Sequence, residues 1–176
     1  MWISKRVLIT FFVAGLAALS MALAVGAFGS KPSHPSKPAH PGKRHGAPLI
    51  KEALAPSQTT DPTFHGVAPG GAPWQLKRGE VRVKKGGKLN LRVKGLVIPA
   101  LGTPGGVTTI TASLYCGADS DTTAAETSQA VPISSAGNAR IHDTSFTVPS
   151  TCLAPVILVH PNGNAMFYIA VDGWRL

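Results

Sequence analysis

Residues 152–176 read CLAPVILVHPNGNAMFYIAVDGWRL, and the fold turns on how they are understood. Two apolar runs, Val156–Val159 and Ala165–Val171, flank Pro161-Asn162-Gly163-Asn164. Asn-Gly tolerates the positive φ angles of tight hairpin turns, so the stretch predicts a β-hairpin. Both runs are almost continuously apolar, which suits strands covered on both faces. This hairpin is the expected centre of a small all-β domain.

Upstream, Val107–Cys116 (VTTITASLYC) is rich in β-branched residues and predicts a strand. Ala130–Ser134 and Ala139–Val148 predict two more, joined by the turn Ser135-Ala136-Gly137-Asn138. Further upstream, Glu80-Val81-Arg82-Val83-Lys84 and Leu89-Asn90-Leu91-Arg92-Val93-Lys94 alternate apolar with polar around the turn Lys85-Gly86-Gly87-Lys88. Period two predicts a second hairpin, with Val81, Val83, Leu89, Leu91 and Val93 inward. Together these make about seven strands over residues 72–176, an antiparallel β-sandwich of immunoglobulin-like kind. Trp74, Tyr115, Phe146, Phe167 and Trp174 are the large core candidates.

The outward face of the second hairpin carries charge. Between Lys77 and Lys94 stand eight cations and one acid, Glu80. After Lys94 the balance reverses to two cations, Arg140 and Arg175, against five acids, which places the basic patch on this hairpin alone. Like charges on neighbouring strands repel, and a counter-anion relieves them. Arg82, Lys84, Lys85, Lys88, Arg92 and Lys94 are therefore the candidate anion-binding residues. The partners that fit are a teichoic-acid-type wall polymer or anionic lipid head groups. Nucleic acid is disfavoured, because no aromatic residues interleave with the cations to stack on bases. The alternative is an edge hairpin guarded against aggregation by lysines. A different class of function, protein–protein contact or a homodimer, would use the apolar C-terminal hairpin if one of its faces were uncovered.

Residues 31–43, KPSHPSKPAHPGK, repeat with period three. Pro32, Pro35, Pro38 and Pro41 would line one face of a polyproline II rod, with Lys31, His34, Lys37, His40 and Lys43 on another. Such a segment is a semi-rigid spacer of about 3.1 Å per residue and cannot build a packed core. The spacing of His34, His40 and His45 fixes no metal geometry. Residues 29–71 are expected as a disordered linker in which Leu49–Leu54 could form a helical turn or two.

At the start, Lys5 and Arg6 precede the apolar, uncharged run Val7–Phe28. This order marks a secretory signal over residues 1–28. At about 1.5 Å per residue the run is also long enough for a hydrocarbon core about 30 Å thick, so a cleaved signal peptide and a single-span anchor both fit. Either way the remainder is expected outside the cytoplasm, secreted or membrane-tethered. There, Cys116 and Cys152 are expected to form a disulfide.

No catalytic constellation, cofactor motif or metal-ligand spacing is evident. His142 and Asp143 are adjacent, so on a strand they point to opposite faces. His160, beside Pro161, is expected to stabilise the turn. Asp119 and Asp121 could open a calcium loop, but the glycine and the distal Glu that complete one are missing, so a solvated loop is expected. The expectation is a non-catalytic module of the cell envelope.

The layout resembles small exported proteins of high-GC Gram-positive bacteria, through Ala112-Ser113-Leu114-Tyr115-Cys116 and Val159-His160-Pro161-Asn162-Gly163. The domain is also similar to the chordin-type CHRD module, an extracellular β domain. Gly87-Lys88-Leu89-Asn90-Leu91-Arg92-Val93-Lys94-Gly95-Leu96, Val159-His160 and Gly173-Trp174-Arg175-Leu176 carry that similarity. It implies a β fold outside the cell. Where that family has a His-x-His strand, this chain has Ser113-Leu114-Tyr115, so no role of those histidines carries over.

Overall fold

The computed structural model describes residues 47–173. The apolar N-terminal run, the period-three repeat with His34, His40 and His45, and the core candidate Trp174 lie outside the described residues. Within them the chain is all-β and holds no helix.

The strands run β1 (Pro48–Pro56), β2 (Ala68–Pro69), β3 (Arg78–Lys84), β4 (Leu89–Lys94), β5 (Thr109–Tyr115), β6 (Glu126–Thr127), β7 (Val131–Pro132), β8 (Ala139–Asp143), β9 (Val156–Pro161), β10 (Phe167–Tyr168) and β11 (Ala170–Asp172). One antiparallel sheet follows the order β6-β5-β9-β11-β1-β3-β4-β8, with β7 also on β5. β10 pairs with β2 in a short parallel ladder. The two expected layers are present, but they are halves of one curled sheet. β1 joins them: its residues 48–53 pair with β3, and Leu54–Pro56 pair with β11.

β1 overturns the expectation of a helical turn at Leu49–Leu54, and with it the linker boundary at residue 71. So short a helix would be marginal by itself. As a strand the segment covers the edges of both β3 and β11, which would otherwise lie open. Where β1 leaves β3 it passes close to Gly79. A Cβ there would lie 2.5 Å from Leu76 Cδ2 and 2.7 Å from Leu54 Cβ, so the crossing needs glycine.

Between the halves lies one core. Val81, Val83, Leu89, Leu91 and Val93 point into it as the alternation requires, joined by Ile141. Ile110, Ala112, Leu114, Ile157, Val159 and Ile169 meet them from the other half. A second cluster sits on the outer face of that other half: Val67, Tyr115, Leu158, Tyr168 and Val171, with Phe64, Ala124 and Val156 against it. β9 therefore sends Ile157 and Val159 to one cluster and Val156 and Leu158 to the other, which is why its sequence shows no polar alternation.

The cover over the second cluster is pinned by polar contacts. The Tyr168 hydroxyl donates to Pro62 O at 2.8 Å, and the His65 amide donates to Asp119 Oδ1 at 2.7 Å. The His65 ring stacks on Tyr115 at 5.0 Å between centroids. Trp74, Tyr115 and Phe146 are buried as expected, but Phe167 is 39% exposed and Tyr168 takes the inward place. In an unbroken apolar run the parity is invisible, and a one-residue shift exchanges the faces.

Cys116, just after β5, and Cys152, ahead of β9, form the expected disulfide across a sequence separation of 36. Closing such a loop stabilises a fold by about 4 kcal/mol in the chain-entropy model. At the C-terminal turn Asn162 and Gly163 have φ of 50° and 69°, as the Asn-Gly pair requires.

Candidate anion-binding face

β3 and β4 are interior strands, flanked by β1 and β8. Their inward residues are fixed by the core, so every second residue must face out. Register then decides which outward side chains meet. Arg82 stands opposite Lys51 of β1 on one side and Asn90 of β4 on the other. Arg92 stands between Glu80 of β3 and Arg140 of β8. Arg78 faces Lys94. Three cross-strand positions thus hold cation against cation.

These side chains line a groove of about 890 Å³ on the outer face. Its cations are Lys51, Arg78, Arg82, Lys84, Arg92 and Arg140, and its carboxylates are Glu52 and Glu80. Arg78 pairs with Glu80 at 3.6 Å, with both side chains more than half exposed. An ion pair that open to water contributes little. Beside Arg82, Asn90 Oδ1 and His142 Nδ1 are 2.6 Å apart.

Of the six expected residues, the groove collects Arg82, Lys84 and Arg92. Lys94 lies in a small recess at the margin with Arg78, Glu80 and Arg92. Lys85 and Lys88 are exposed in the β3–β4 turn and do not line the groove. The fold adds Lys51 and Arg140, so the basic face is not confined to the β3–β4 hairpin. Lys51 lies in the segment expected as linker, and Arg140 is separated from the other cations in sequence. Only strand order brings them in. That order also removes the edge-guarding explanation for β3 and β4, since neither is an edge.

The other candidates are occupied structurally. Asp143 accepts from the Ser145 amide and hydroxyl at 2.9 and 2.7 Å, and the hydroxyl bond holds its carboxyl below the usual range. Asp119 and Asp121 accept backbone amides, from His65 and Ala118 respectively. Among the described residues no cluster of three His, Cys, Asp or Glu side chains could hold a metal ion.

His160 is buried on β9. Its Nδ1 lies 2.8 Å from Phe167 O, which ties it to the turn, and its Nε2 has no partner among the described residues. Burial pushes its pKa down. Asp172 accepts from the Ile157 amide at 2.7 Å; burial, and then the charge of Glu52, push its carboxyl up to about 6.

The C-terminal hairpin offers no open apolar strand face. Ile157, Leu158, Val159, Tyr168, Ile169, Ala170 and Val171 are all buried within this chain, and among the large apolar residues described after Val156 only Met166 and Phe167 are exposed.

In comparisons with known protein families, curated proteins and solved structures, nothing matches this chain.

Proposed function

We propose that the protein is a non-catalytic module of the cell envelope whose basic sheet face holds an anionic polymer. The observation that carries this reading is the two directly opposed cation pairs Lys51–Arg82 and Arg92–Arg140, which line one groove, with Arg78–Lys94 at its margin. Like charges placed directly opposite each other cost stability, and nothing in the fold's core requires them. A polyanion turns that cost into affinity by releasing its own counterions as it binds. Export is supported by the charged-then-apolar start and by the disulfide, a bond at home in oxidising compartments.

The test is retention of the full chain on isolated envelope polymer across a salt series. Retention at low salt should fall steeply as salt rises, and Arg82→Gln with Arg92→Gln should abolish it without lowering the melting temperature. Salt-insensitive retention, or an unaffected double variant, would sink the proposal. Retention on anionic vesicles but not on polymer would move the partner to the lipid surface.

A further inference from the structure

The cations of the groove are not scattered. Arg140 on β8, Arg92 on β4, Arg82 on β3 and Lys51 on β1 form an oblique stripe, one cation from each of four adjacent strands. They fall into two directly opposed pairs, Arg140–Arg92 and Arg82–Lys51, offset by two residues along the strands. Glu80, beside Arg78 at 3.6 Å and opposite Arg92, is the one acid next to the stripe on β3.

With about 4.8 Å between strands and about 3.4 Å per residue, the midpoints of the two pairs lie about 12 Å apart. Within each pair the backbones are one strand spacing apart. Two cations so placed can each take one of the two non-bridging oxygens of a single phosphodiester, and guanidinium forks suit that geometry. A planar carboxylate is already satisfied by one such fork. A phosphodiester polymer with three-carbon bridges has six bonds per repeat, as two extended residues do, hence about 7 Å per repeat. Two slightly slack repeats span the gap.

We infer that the occupant is a linear phosphodiester-linked polyol lying across the strands, with every second phosphate gripped by one cation pair. This rests on the anionic-polymer reading above and narrows it to one linkage, one direction and a minimum length of three phosphates.

The test is calorimetric titration of the full chain, in detergent, with glycerol-phosphate oligomers of two, three, four and six phosphates. Affinity should step up between two and three phosphates and gain little beyond. Lys51→Gln and Arg140→Gln should each weaken the three-phosphate oligomer roughly tenfold, the loss of one charge-assisted contact. Each should also flatten the log–log salt dependence by about one unit. Lys85→Gln and Lys88→Gln, outside the stripe, should change affinity less than about twofold, within the usual range for an uncontacted surface charge.

A steady climb with length and no step, equal losses at Lys85 and Lys88, or equal binding of polygalacturonate would overturn the inference and leave the anionic-polymer reading standing. Preference for anionic vesicles over every oligomer would overturn the inference in favour of a lipid surface. Failure to bind any polyanion would remove both.

Discussion

On the β5–β9 side of the curled sheet, the outward residues Tyr115, Leu158 and Val171 are roofed by Val67, Tyr168 and the neighbouring loops. On the β3–β4 side the outward residues Arg82, Arg92 and Lys94 are exposed. Both halves obey the same alternation inward, and both contribute to one core. What differs is what the chain does with the second face. Where the outward residues are apolar, 57–67 and 116–125 fold over them. Where they are cationic, no loop among the described residues provides a cover. A face left unroofed, concave and predominantly cationic is where an outside partner has room and reason to bind.

The largest effect that tests this contrast is on the roofed side. Tyr168 is fully buried and its hydroxyl holds Pro62. Tyr168→Ala should cost roughly 3–5 kcal/mol in chemical denaturation, as truncation of a large buried aromatic does. A loss under about 1 kcal/mol, the size of an ordinary surface change, would mean that the roof contributes no packing and that the two faces are less different than drawn.

Next comes the junction. Gly79 lies against Leu54 and Leu76 where β1 passes from one half to the other. Gly79→Ala should destabilise by about 1–3 kcal/mol through overpacking. Gly86, with open space around its Cα, is the control and should tolerate alanine. If the two substitutions behave alike, the crossing is looser than the close approach implies.

How much of this was legible beforehand follows from the same physics. The Asn162-Gly163 turn, the doubly covered β9 and the outward direction of Arg82 and Arg92 are local, and the sequence carries local signals well. β1 was hidden because Ile50 and Leu54, four apart, satisfy a helical period and a strand period equally. Lys51 and Arg140 were hidden because no spacing along the chain predicts that β1 and β8 flank the hairpin; that is a fact of non-local pairing. Phe167 and Tyr168 were exchanged because an all-apolar run does not mark its own faces.

A smaller effect should appear in the pH dependence of the roofed half. Asp172 binds its proton more tightly folded than unfolded. Its contribution is whole below its ordinary 3.8 and is lost as pH rises through about 6. His160 has the opposite sign, because burial favours its neutral form. Its contribution is whole above its ordinary 6.5 and is lost as pH falls. The two oppose each other in the mildly acidic range that opens below about 6. Asp172→Asn should therefore make stability fall more steeply on acidification across that window, and His160→Gln should make it rise. Urea melts at a series of pH values read this directly; identical slopes in both variants would show that neither group is held as the fold implies.

The smallest effect is the one that most sharpens the comparison. If the cation pairs exist for a partner and not for the fold, then without a partner they should be a mild burden. Arg82 sits directly opposite Lys51, with the uncharged Asn90 on its other side, and an opposed like-charge pair costs roughly 0.2–1 kcal/mol. Arg82→Gln should accordingly raise the stability of the unbound protein by a few tenths of a kcal/mol at low ionic strength. The gain should fade as salt screens the pair, since exposed charges interact weakly beyond a Debye length of about 10 Å at 0.1 M. The same substitution must weaken polymer retention, so stability and binding move in opposite directions. A loss of more than 1 kcal/mol, the reverse of this sign, would mean that Arg82 packs along the groove wall as structure. The open face would then be a second kind of roof, built from long side chains in place of loops.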